Sequence, residues 1–180
     1  MIKADGKMFA LNTKRTTYAF RVLETGQLEH MYYGKLINTS EPSVIIGKKG
    51  LAPGNTVTYD AAHENLTLED VSLEVSAIGK GDFREPMMEV ICADGSTTLD
   101  FVFDSYEVIS GKPESKALPS SYDETGKVET LNITCKDKNH GFTLVLSYSV
   151  FEDCDIITRS AKFINTSNEP VKLTRMLSML

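Results

Sequence analysis

The chain has 180 residues, 41% of them hydrophobic and 24% charged, with a net charge of −6. That length suits one domain or a large piece of one, and the apolar share is enough to bury a core. An acidic balance without a Lys/Arg cluster gives no electrostatic case for nucleic acid or an anionic membrane face. No apolar run approaches the roughly 20 residues that span a bilayer, and the first seven residues lack the apolar core of a signal peptide. The three cysteines, Cys92, Cys135 and Cys154, are an odd number without metal-pair spacing. Cys92 and Cys135 fall in apolar runs and read as small core residues. These features point to a reducing, cytoplasmic setting.

In chain order, residues 8–12 and 16–24 predict two strands joined by a turn at Asn12-Thr13-Lys14. Tyr18, Phe20 and Val22 form the apolar face of the second. Residues 28–37 predict a third strand. Residues 38–60 are irregular and rich in Gly, Pro and Lys, a long loop of the kind that carries binding function or is simply a mobile surface. Residues 61–74 read as a short helical turn or irregular chain. The bend Gly79-Lys80-Gly81-Asp82-Phe83-Arg84-Glu85-Pro86 follows, its two glycines permitting a sharp turn. Strands are expected at 87–93 and 97–110, with a hairpin signal at Ala93-Asp94-Gly95-Ser96. A Pro-bounded connection then carries Leu118 and Tyr122, spaced to dock on the body of the protein.

The organising stretch is the last third. Leu131, Ile133 and Cys135 alternate with polar residues. Residues 142–151 are apolar on both faces with small hydroxyls between, and ask for cover on both sides. Residues 155–165 and 170–180 alternate again. Period-two patterning with Val, Ile, Tyr, Phe and Thr, cut by Asn, Asp, Gly and Pro, signals an antiparallel meander. Strands at roughly ten-residue spacing predict an all-β antiparallel sandwich with little or no helix.

Catalytic chemistry is sparse. His30, His63 and His140 are isolated, and His30 reads as a packed or surface residue. No metal-ligand spacing, nucleophile elbow or P-loop occurs, so no metal, cofactor or catalytic residue is assigned. Two arginines stand out. Ile157, Ala161 and Phe163 share a face with Arg159, and Val171, Leu173, Leu177 and Met179 share one with Arg175. An unpaired buried guanidinium is very unfavourable, so each is expected to meet an acid or a polar covering surface.

Several ordered segments together carry a family resemblance. They include Leu28-x-His30-x-Tyr32-Tyr33-Gly34-Lys35, Thr67-Leu68-Glu69 through Leu73-Glu74, and Gly79-x-Gly81-Asp82-Phe83-Arg84-x-Pro86. Further along come Asp94-Gly95-Ser96, Gly111-Lys112-Pro113, Leu146-Ser147-Tyr148-Ser149-Val150-Phe151 and Ile157-Thr158-Arg159-Ser160. The set resembles the N-terminal domain of the bacterial α-galactosidases of glycoside hydrolase family 36, which cleave melibiose and raffinose. The resemblance implies a β-supersandwich that precedes a (β/α)8 barrel. In the family the barrel holds both catalytic aspartates and hydrolyses α-galactosides with retention.

Residues 1–180 are accordingly expected to be a single N-terminal domain, a fragment of a longer enzyme and inactive alone. Its expected partners are its own barrel and the subunits of a homo-oligomer, a tetramer by resemblance. The loop that reaches a neighbour's active site in the family departs here from the usual Phe-Ser-x-Asn-Pro run and reads Leu51-Ala52-Pro53-Gly54-Asn55. Lys48, Lys49 and Asp60 are the substrate-adjacent candidates. Asp82, Arg84, Arg159 and Arg175 are the structural or interface candidates. The competing reading is a free-standing carbohydrate-binding or oligomerisation module, against which the absence of Trp weighs.

Overall fold

The computed structural model describes residues 1–38, 45, 57–115 and 119–178. Among the described residues ten strands build three antiparallel sheets. The first sheet has the order β1 (Ile2–Ala4), β2 (Met8–Asn12), β3 (Thr16–Val22), β4 (Leu28–Lys35). The second joins β6 (Phe101–Ser110), β7 (Glu129–Asp137), β8 (Phe142–Phe151) and β9 (Ile156–Asn165) in sequence order. The third pairs β5 (Met88–Ile91) with β10 (Lys172–Met176). Among the described residues helix is limited to single 3-10 turns at Leu68–Asp70 and Glu152–Cys154. The all-β antiparallel expectation therefore holds, and residues 61–74 are the helical turn plus irregular chain that the pattern suggested.

The expected hairpin forms with a two-residue tip. Asn12 pairs with Thr17, and Thr13 Oγ1 accepts from the Thr16 amide at 2.9 Å. Asp155, in left-handed backbone at φ 54°, ties this tip to the second sheet by accepting from Thr13 Oγ1 and the Arg15 amide, both at 2.8 Å. The core lies between the two large sheets. Phe20 stacks on Phe9 within the first sheet (5.0 Å) and on Tyr148 of β8 across the interface (5.2 Å). Leu11, Leu131, Ile133, Leu144 and Leu146 fill the space around them, fully buried. Burying each such side chain stabilises the fold by about 1.5–3 kcal/mol relative to leaving it in water.

Four expectations are corrected. Strand β1 was not anticipated, since three residues are too few for a readable alternation. Strand β8 is fully buried on one face, at Phe142, Leu144, Leu146, Tyr148 and Val150, and only in part on the other, where Ser149 is buried while Thr143, Val145, Ser147 and Phe151 are partly exposed. Polar groups of that second face pair within the sheet, Thr130 with Ser149 (2.8 Å) and Ser147 with Asn132 (2.7 Å). Residues 170–180 do not extend the meander, because β10 leaves it to pair with β5. A register shift between Leu173 and Arg175 then breaks the odd-position face, so Leu173 and Leu177 are exposed while Met176 packs on the core. Finally, Tyr122 is 73% exposed and does not dock, while Leu118 lies outside the described residues.

Candidate functional site

One buried polar cluster beside a cavity centres on Glu74. The segment before it runs against the start of β4: His30 donates its amide to Ser72 O (2.6 Å), and the Glu74 amide donates to Leu28 O (2.9 Å). This backbone pairing carries the Glu74 side chain inside, where it is 1% exposed. Oε1 accepts from the Tyr18 hydroxyl at 2.6 Å and contacts His30 Nδ1 at 2.9 Å. Oε2 accepts from the Tyr148 hydroxyl at 2.7 Å and faces Arg159 Nη1 at 3.4 Å. The Arg159 Nη2 donates to the Glu74 backbone carbonyl. One carboxylate thus gathers groups from β3, β4, β8 and β9.

Register explains why these side chains meet. Tyr18 pairs with Tyr33 and Phe20 pairs with His30, with a bulge between. The extra residue in β4 resets its parity, so His30 and Tyr33 both face Tyr18, at ring distances of 4.9 and 5.7 Å. On the other sheet Tyr148 and Arg159 are direct cross-strand partners, and the guanidinium lies over the Tyr148 ring at 5.3 Å.

Burial alone would raise the Glu74 carboxyl. The His30 contact, the Arg159 charge and the two tyrosine hydroxyls outweigh it and hold the group below its ordinary value. Burial pushes both Tyr18 and Tyr148 up, reinforced by the Glu74 charge, so they stay neutral donors. Arg159 balances the Glu74 charge, and the shared carboxylate links the two large sheets. A cavity of about 310 Å³ opens beside it, lined by Tyr18, His30, Tyr33, Leu73, Met87 and Arg159 among others.

The other sequence candidates fall in separate places. Lys48 and Lys49 lie outside the described residues. Asp60 caps its own turn, accepting from the Ala62 and His63 amides, both at 2.9 Å, and meeting His63 Nδ1 at 2.7 Å. Asp82 and Arg84 form a second buried-acid site. Arg84 Nε donates to Asp82 Oδ1 (2.8 Å) and Nη2 to Oδ2 (3.1 Å), while Nη1 and Nη2 reach Val71 O (2.7 Å) and Leu68 O (2.8 Å). The guanidinium so brackets the 3-10 turn, meeting the carbonyl of its first residue and that of its C-cap. The bend that makes this possible has left-handed backbone at Gly79, Lys80 and Gly81, and a Cβ on Gly81 would sit 2.8 Å from Val57 O. Arg175 pairs with Glu85 and lies 3.9 Å from Glu89 on the surface. Among the described residues no three His, Cys, Asp or Glu side chains gather as a metal site.

Sequence reasoning flagged Arg159 but not Glu74, its acid, and treated His30 as isolated. The only available signal was the requirement that a guanidinium on an apolar face find a carboxylate. Residues 26–180 match the model of the glycosyl hydrolase family 36 N-terminal domain. The chain is 32% identical over 174 residues to α-galactosidase AgaA of Geobacillus stearothermophilus, covering 96% of this chain and 24% of that enzyme. It superposes on α-galactosidase AgaB of the same organism with a TM-score of 0.91 at 30% identity, covering 99% of this chain and 24% of that one. It superposes equally on a variant of AgaA in complex with raffinose, with a TM-score of 0.89 at 31% identity, covering 96% and 24%. The chain spans about a quarter of the length of these relatives. It belongs to glycoside hydrolase family 36, to whose N-terminal domain it corresponds.

Proposed function

We propose that this chain is the non-catalytic N-terminal β-sandwich domain of an α-galactosidase that hydrolyses terminal α-galactosides with retention. The observation that carries this reading is end-to-end similarity to α-galactosidases roughly four times its length. The geometry agrees in kind. The Glu74 carboxylate ties the two large sheets together through the Tyr18 and Tyr148 hydroxyls and the Arg159 charge, as a bracing domain requires. The domain would brace a barrel, contribute subunit contacts in a homo-oligomer and border a neighbour's active site. Its setting would be cytoplasmic.

The test is galactose release from raffinose and melibiose by the longer polypeptide that carries this domain, beside the 180-residue chain alone. Release by the first and none by the second is the expected result. No release by the longer protein overturns the α-galactosidase reading, and release by the isolated chain overturns the non-catalytic one. Light scattering of the longer protein checks the oligomer: a monomer at all concentrations removes the subunit-contact role.

A further inference from the structure

The anchor around Glu74 leaves donor capacity unused. A guanidinium offers five N–H groups. In Arg159, whose side chain is 8% exposed, Nη2 serves Glu74 O and the Met87 sulfur (3.7 Å), and Nη1 has only the 3.4 Å ionic contact. Nε is buried with no hydrogen-bond partner. A buried donor without an acceptor is unfavourable; Nε has no exposed surface of its own, while Arg159 as a residue lines the 310 Å³ cavity. Across that cavity the His30 ring engages Glu74 through Nδ1 alone, and Tyr33 is 63% exposed at the mouth.

The lining selects a ligand class. Arg159 is already balanced by Glu74, so an added anion would meet a carboxylate as well as a guanidinium. A neutral molecule rich in acceptors suits the unused donors better. Tyr18, Tyr33, Leu73 and Met87 supply apolar surface, and the volume is at the small end of the ligand-pocket range of about 300–1,000 Å³. A neutral ring with hydroxyls at its edge and C–H groups on one face fits both requirements.

We propose that this cavity binds one hexopyranose unit, with hydroxyls on Arg159 and His30 and the ring face on Tyr33. The cavity argument stands on its lining. The choice of galactose as the sugar rests on the α-galactosidase reading above. The site deepens that reading by giving the N-terminal domain a sugar contact of its own, built from β3, β4 and β9.

The experiment is calorimetric titration of the 180-residue chain with galactose, and separately with inorganic phosphate. Saturable binding of galactose is expected. Tyr33→Ala, which removes an exposed ring, should weaken it by about five-fold. Tyr122→Ala, at an exposed position outside the cavity lining, should leave it unchanged. Absence of saturable galactose binding overturns the proposal, as does preference for phosphate or an unaltered affinity in Tyr33→Ala. Arg159→Lys, which keeps the charge but loses the planar fork, should abolish binding where the variant folds. These outcomes are separable from hydrolysis, since a domain that binds no galactose leaves the activity of the longer enzyme to be read independently.

Discussion

Glu74 and Asp82 are both carboxylates with 1% side-chain exposure, and both face an arginine, yet they are built differently. Asp82 takes its arginine from two residues away, inside one bend. Glu74 takes its partners from positions 18, 30, 148 and 159, on both large sheets. The Asp82 pair organises a local loop and spends its remaining donors on the adjacent 3-10 turn. The Glu74 cluster exists only when the two sheets have closed. The difference teaches that a buried ion pair can record either a local turn or the assembled fold, and that burial alone does not say which.

The largest expected effect is at Glu74. Replacing it with Leu strands the Arg159 charge and two buried tyrosine hydroxyls, and should cost about 3–5 kcal/mol in urea unfolding. A comparable loss on Arg159→Met would show the pair acting as a unit, and a cost below about 1 kcal/mol would show that the cluster is not an anchor. Acid titration reads the same cluster. The Glu74 carboxyl is held below its ordinary value, so its contribution is fully present above the unfolded-state pKa near 4.5 and is lost as pH falls through the lower folded value. Stability of the wild type should therefore drop more steeply between pH 5 and pH 3 than that of the Leu variant.

Arg84→Met should cost less, about 2 kcal/mol, because it unpairs Asp82 but disturbs one turn only. Hydrogen exchange should rise around residues 68–71 and not in the large sheets. Exchange rising throughout would erase the contrast between the two acids. Gly81→Ala should cost about 1–2 kcal/mol, since φ is +82° and the new Cβ meets the Val57 carbonyl. Arg175→Met should change thermal stability least, by under about 1 kcal/mol, because its ion pairs are solvent-exposed.

The same contrast explains what could be read in advance. The β7–β8–β9 meander was legible because period-two alternation with turn residues maps directly onto hydrogen-bonded registers. The Gly79-Lys80-Gly81-Asp82 bend was legible because its constraint is local. Glu74 was not, since a lone acid in an irregular segment has no neighbour in sequence to mark it. His30 and Tyr33 are three apart and should face opposite ways on a regular strand. One bulged residue in β4 turns them together. The bulge between Leu173 and Arg175 misdirected the face of β10 in the same way. Alternation fixes a side chain's direction only while the register is unbroken, and nothing in these runs announces the break.

The turn after β8 places Cys154 on the surface, beside the Asp155 latch, while Cys92 and Cys135 are buried. Burial also pushes the Cys135 thiol up to about 12, leaving almost no thiolate near neutrality. A maleimide dye added to the native protein should therefore attach at one position without mutagenesis. That dye would report, by fluorescence, when the β2–β3 tip and the β8–β9 turn come apart.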